Sequence, residues 1–193
     1  RREAWQRKFD MDNELGTPAP NGGHLAVNKL VQHGIVNSII TQNIDGLHQA
    51  SGIPPDQVIE LHGNNTYARC LNCQQRYELE PIKQQFLLDQ TPPTCTHCGG
   101  VIKSAVISFG QSMPPVAMAQ AEQVTRDADL FIAIGSSLQV YPAAGFPQLA
   151  AELNIPLVIL NREPTGLDHI ATLVLNTEIT PLLKQLTQKL PDS

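Results

Sequence analysis

Charge is sparse in this sequence: Lys, Arg, Asp and Glu make up 16% of 193 residues, too few for a solvated, disordered tail. Positive charge is the scarcer sign, with 13 basic against 18 acidic side chains and a formal charge of −5. No block of lysines or arginines interrupts the chain, which argues against general nucleic-acid binding through phosphate neutralisation. No apolar run approaches the ~20 residues that cross a bilayer, so no membrane partner is expected. No secretory leader opens the chain, and residue 1 is Arg1 rather than methionine, so a segment upstream of it is expected. What remains is an ordinary globular composition, 41% apolar, enough to build one core with at most a small insert.

Cysteine is sparse too, four in all, but its placement is informative. Cys70 and Cys73 form one Cys-x-x-Cys pair, Cys95 and Cys98 a second, and 21 residues separate the pairs. Two intervening residues let both sulfurs of a pair point at one centre from a tight turn, and two such turns supply four soft ligands to a tetrahedral zinc ion. Gly99 and Gly100 follow the second pair, as a tight knuckle requires. Two disulfides would need an oxidising compartment, and a redox site would use one pair rather than two. The expectation is one structural zinc with no coordination position left for water. His97, between the last two cysteines, is read as a surface residue.

Short apolar runs without clean alternation lie at 36–40, 58–61, 105–109, 130–134, 157–160 and 173–175. Such runs suit strands of a parallel sheet buried on both faces. Helical patterns lie between them at 24–33, 114–127, 142–153 and 180–190, the first stopping at Gly34. Alternation of this kind predicts an α/β fold, a Rossmann-like doubly wound parallel sheet, with a small inserted four-cysteine zinc domain. The expected division is 1–63 with 104–193 for the nucleotide-binding domain and 64–103 for the zinc domain.

Polar or glycine-rich loops follow the apolar runs: 41–48, 62–64, 110–111, 135–138 and 161–163. In an open parallel sheet these share the carboxyl edge, where ligands bind. The small residues Gly135, Ser136 and Ser137 let backbone approach a phosphate closely. His62 stands at the end of a strand on this edge; taken alone, a histidine is more often packed or capping. Asn43 and Asp45 suit an Asx turn around Gly46.

The stretch 41–48, the segment Glu60-Leu61-His62-Gly63-Asn64, the paired cysteines, Phe109-Gly110 and residues 129–142 occur in this order in sirtuins, and from about residue 20 onward the chain resembles that family. The resemblance implies an NAD-dependent protein lysine deacylase acting on acyl-lysine proteins or peptides. It implies that the acyl oxygen attacks the ribose carbon as nicotinamide leaves, that His62 then activates a ribose hydroxyl, and that an O-acyl-ADP-ribose is released. By the same resemblance Gln42, Asn43, Asp45, Gly135, Ser136, Ser137 and Asn161 bind NAD. Val106, Phe109, Gly110 and Val140 would bind the substrate, with the peptide added as a strand between two loops. Plain core is an equal reading for Val106.

Several positions depart from the family. Its opening strand, its Gly-Ala-Gly loop and its Pro-Asp-Phe-Arg segment do not occur before Trp5, so an N-terminally incomplete NAD domain is expected, with weak NAD binding and exposed strand edges. Ser136 stands for the usual threonine, Gln111 for glutamate, and Lys103-Ser104 for Arg-Pro. No tyrosine lies in 1–20, which favours acetyl or apolar acyl groups over acidic ones. Competing readings are a mono-ADP-ribosyltransferase of the same family, a zinc-ribbon binding module and an inactive truncated fragment. A cytoplasmic location is expected.

Overall fold

The computed structural model describes residues 1–16, 18–108 and 110–191. In chain order its elements are α1 (Arg2–Leu15), α2 (Gly22–Gln32), β1 (Ile39–Thr41), α3 (Leu47–Ala50), β2 (Val58–Glu60), β3 (Tyr67–Cys70) and β4 (Arg76–Glu78). There follow α4 (Leu79–Asp89), β5 (Ile102–Ser104), α5 (Pro115–Arg126), β6 (Phe131–Ile134), α6 (Gly145–Glu152), β7 (Leu157–Leu160), β8 (Leu173–Leu175) and α7 (Ile179–Thr187). Two compact units result: Arg1–Ala19, Asn43–Leu47 and His62–Ser112 form one, and Pro20–Gln42, His48–Leu61 and Met113–Ser193 form the other. The cysteine-bearing unit is thus wider than the 64–103 expected from sequence, because α1 packs into it. Trp5 and Phe9, one turn apart on α1, bury their rings with Phe86 of α4 in a core that also holds Cys70, Cys95 and Ile102.

In the cysteine-bearing unit β3 is central, antiparallel to β4 on one side and β5 on the other. The expected strand at 105–109 is not formed over residues 105–108; Phe109 lies outside the described residues. Residues 105–107 are tied by backbone hydrogen bonds without forming a strand. The Ala105 N–H donates to the Tyr67 carbonyl (3.1 Å) and the Ile107 N–H to the His62 carbonyl (2.9 Å).

The second unit carries the parallel strands. β1 pairs with β2, and β7 pairs with β6 and β8, all parallel, as two separate ladders. Leu157 and Ile159 of β7 are fully buried, as a central strand requires, and each contributes about 1.5–3 kcal/mol relative to exposure. β6 differs from the expectation of burial on both faces: Ala133 is buried, while Ile132 and Ile134 are 42% and 36% exposed. Among the described residues β6 pairs with β7 alone, which leaves one edge and one face without cover.

Local signals set α2. The Asn21 side chain accepts from the N–H groups of Gly23 (2.8 Å) and His24 (3.2 Å), and His24 Nδ1 accepts from the Asn21 N–H (3.3 Å). This is a capping box closed by histidine instead of glutamate. At the far end Gly34, at φ +67°, turns the chain, and the Ile35 N–H returns to the Leu30 carbonyl (3.0 Å). No helix among the described residues is long and apolar enough to cross a membrane.

Candidate active site and metal centre

β2 delivers the chain to His62. Leu61, fully buried, donates its N–H to the Thr41 carbonyl (3.0 Å) and packs with Ile59 and Phe146, so the strand exit is rigid. His62 is half-buried. Gly63, at φ +72°, has its α-carbon against the Ala105 carbonyl, and a Cβ there would lie inside contact distance of that oxygen. Asn64 is only 3% exposed, and its Oδ1 accepts from both the N–H and the hydroxyl of Thr66, each at 2.7 Å. The Asn65 N–H donates to the Ile44 carbonyl at 2.7 Å. Asp45 Oδ1 accepts from the Leu47 N–H (3.0 Å), an Asx turn ahead of the short α3, and Gly46 turns at φ +69°.

These contacts lace the 43–47 loop, the 62–66 turn and the 105–107 segment together within one unit, which brings Asn43, Asp45, His62 and Val106 into one body. Asn43 is exposed, and Asp45 and Val106 are half-buried. Lys103 holds the outgoing segment: its Nζ donates to the Val106 carbonyl (2.7 Å) and to Gln111 Oε1 (3.1 Å). Gln111 Oε1 also accepts from the Ser108 N–H (3.2 Å). Burial pushes the Lys103 amine below its ordinary 10.5. Lys103 and Gln111, two of the positions expected to depart from the resembled pattern, therefore pair with each other. Gly110 is exposed beside them at φ +80°.

In the second unit Gly135, Ser136 and Ser137 leave the carboxyl end of β6, and Asn161 leaves that of the adjacent β7. The Gly135 N–H donates to the Leu160 carbonyl (2.9 Å), so Gly135 and Asn161 share one sheet edge. Ser136 Oγ accepts from the Leu138 N–H (3.2 Å), and Gly135 at φ +63° is exposed. This small-residue loop leaves backbone open to a phosphate, so the residues present fit a dinucleotide. The Asn161 side chain donates to the Glu163 carbonyl (2.7 Å), which orders its loop. Gln42 directly follows β1, and Val140 is 53% exposed. The rings of His24 and His48 meet edge to face, with centroids 5.3 Å apart.

The four cysteine sulfurs lie within 4.8 Å of one another. Cys70 and Cys98 are 3.5 Å apart and Cys73 and Cys95 3.6 Å, too far for the ~2.05 Å of a disulfide. Tetrahedral zinc with bonds of ~2.3 Å places sulfurs ~3.8 Å apart, so the donor set fits zinc in both chemistry and spacing. Hydrogen bonds polarise the thiols unequally. The Tyr77 hydroxyl, more than the backbone N–H groups of Cys98 and His97, pulls Cys95 down to about 6. At Cys98 the Gly100 N–H acts downward, but the neighbouring Cys73 and Cys70 sulfurs and burial push the thiol up to about 12. His97 is exposed, as the sequence suggests. Tyr77 carries no signal of its own in the sequence, and the pairing of Lys103 with Gln111 is not readable there, because each acts through a partner that only the folded chain brings close.

The chain is similar to known proteins over most of its length. A family model described as Sir2 family matches residues 1–142. An NAD-dependent protein deacetylase of Rhodopseudomonas palustris is 51% identical over 179 residues, 93% of this chain and 71% of that protein. A solved Sir2 complex with a p53 peptide and NAD+ is 35% identical, with a TM-score of 0.78, covering 89% of this chain and 70% of that one. A Sir2 bound to an acetylated peptide is 34% identical, with a TM-score of 0.79, over 89% and 71% of the two chains.

Proposed function

The chain belongs to the Sir2 family, and from that we infer that it removes acetyl groups from protein lysines at the expense of NAD. Its architecture is a Rossmann-like α/β fold with a four-cysteine zinc module. Its cofactors are NAD and one structural zinc ion, and its partners are acyl-lysine proteins or peptides. NAD, when bound, would supply an electrophilic ribosyl carbon for the acyl oxygen, with nicotinamide as the leaving group.

His62 is the residue we assign to proton transfer. The observation that carries this is the lacing of the 62–66 turn to the 43–47 loop and the 105–107 segment, which holds a half-buried imidazole on a fixed backbone. A neutral imidazole accepts a proton from a ribose hydroxyl, and a rigid mount keeps it in position for that step. Asn43 offers a matching amide to the carboxamide of nicotinamide, and Asp45 a carboxylate to hydroxyl or amide protons. Gln42 completes that loop. Gly135, Ser136, Ser137 and Asn161 would hold the remainder of the dinucleotide. Val106, Phe109, Gly110 and Val140 are the residues we assign to the acyl-lysine segment, which such sites hold through backbone pairing. A cytoplasmic location belongs to the same proposal, supported by four cysteines kept as thiols for a metal.

The test is mass analysis of an acetyl-lysine peptide incubated with NAD and the chain. The expected products are free lysine peptide, nicotinamide and acetylated ADP-ribose, with turnover reduced about 100- to 10,000-fold by His62→Ala. ADP-ribose attached to protein in place of acetyl loss would make the chain a mono-ADP-ribosyltransferase. Full turnover by the His62→Ala variant would remove that histidine from the mechanism.

A further inference from the structure

Tyr77 lies on β4, and its phenol reaches across to the second cysteine knuckle. Its oxygen is 3.1 Å from Cys95 Sγ, 3.1 Å from the Thr96 backbone nitrogen and 3.2 Å from Thr96 Oγ1. These contacts are not equivalent. The Thr96 N–H can only donate, so it occupies a lone pair of the phenol oxygen. The Thr96 hydroxyl is able to supply its own proton to a second. A metal-bound Cys95 is a thiolate and can only accept. The phenol proton is therefore committed to sulfur, and the geometry leaves the hydroxyl one donor and two acceptor roles, all filled.

The sulfur that receives this bond is the buried one of its knuckle: Cys95 is 3% exposed, while Cys98 is exposed. Backbone N–H groups also face each cysteine, as tight knuckles provide. Tyr77 adds a side-chain donor, and it comes from the hairpin that begins at the first knuckle. β3 ends on Cys70, and β4 pairs with β3. One phenol thus ties the strand pair carrying the first two ligands to the loop carrying the last two.

We propose that Tyr77 is an outer-shell residue of the zinc site, donating its hydroxyl proton to the Cys95 thiolate and thereby setting how tightly the metal is held. Partners of this kind orient metal ligands and adjust their charge, and their loss typically costs about 10- to 100-fold in metal affinity. The hydrogen bond draws electron density from the sulfur lone pair, lowers its energy and offsets the crowding of four thiolates around one dication.

Tyr77→Phe in the full chain tests this through the metal itself. In competition with a chromophoric chelator, the variant is expected to lose zinc affinity by about 10- to 100-fold. Loaded with cobalt(II) instead of zinc, it is expected to show its sulfur-to-metal charge-transfer band at lower energy, because the lone pair is no longer stabilised. Thr96→Val leaves the phenol proton on sulfur, so its band is expected to stay in place. An unmoved band in Tyr77→Phe overturns the proposal, even with weaker zinc binding, since the hydroxyl then only tethers the loop. A band that moves equally in Thr96→Val overturns it as well. If Tyr77→Phe does not fold, uniform 3-fluorotyrosine labelling of the unaltered chain makes the phenol a stronger donor. The band must then move to higher energy, and a fixed band refutes the bond.

Discussion

Trp5, Phe9 and Phe86 fill the core of the cysteine-bearing unit beside Cys70 and Cys95, whereas Leu61, Leu157, Ile159 and Phe146 fill the cores of the parallel-strand unit. The first unit has a three-stranded antiparallel sheet of short strands, and two of its metal ligands sit inside its apolar cluster. The second is built from parallel ladders with helices α5, α6 and α7 supplying apolar contacts. A small body with few buried side chains needs a staple, and four thiolates around zinc provide one. A larger aliphatic core does not need one. The difference teaches that one chain can rest on two kinds of cohesion, one dependent on a metal and one not.

Removing the metal should break this comparison open. Chelation is expected to abolish amide protection over 62–112 and α1, while β6, β7 and β8 keep theirs. Hydrogen exchange followed by mass spectrometry reads both at once. Equal loss in both units would mean that the zinc supports the whole chain.

Gly63→Ala comes next. It forces an L-residue to φ +72° against the Ala105 carbonyl, and the left-handed cost of about 1–2 kcal/mol adds to overpacking of about 1–3 kcal/mol. Thermal melting should show that destabilisation with zinc still bound, which separates backbone fit from metal cohesion within the same unit.

Asn21→Ala acts on the other unit. It removes the acceptor for two N–H groups of α2 and should cost about 1 kcal/mol, independent of zinc. Ile159→Val sharpens the comparison least. It should cost about 0.5–1.5 kcal/mol, read by denaturant melts with and without chelator, and the two values should agree. A chelator-dependent difference would show that the β7 core feels the metal.

Much of this was legible from residue order. The parallel strands β2, β6, β7 and β8 and helices α2, α5, α6 and α7 fall on apolar runs and periodic stretches, because burial of a regular element imposes a period on its own sequence. α1 was not legible. Its contribution to the core is Trp5 and Phe9 on an otherwise polar helix, a pattern too thin to read before Phe86 is brought against it. α4 was absorbed into the cysteine insert for the same reason, with only Ile82 and Phe86 buried along its length. The run at 105–109 looked like a strand because it is apolar, yet its described residues follow the His62 turn as a bonded segment instead.

The sequence by itself determined the donor set of the metal centre, the strand-then-loop order that carries His62 and Gly135, and the stop of α2 at Gly34. All of these are local, since ligand spacing, a strand exit and a helix end are written in residues a few positions apart. Only the tertiary structure decided that α1 belongs with the cysteines, that Gly63 has room for no side chain, that Lys103 reaches Gln111, and that the Tyr77 hydroxyl meets Cys95. Those pairings depend on which surfaces meet when separate segments pack, and no local period or spacing encodes that.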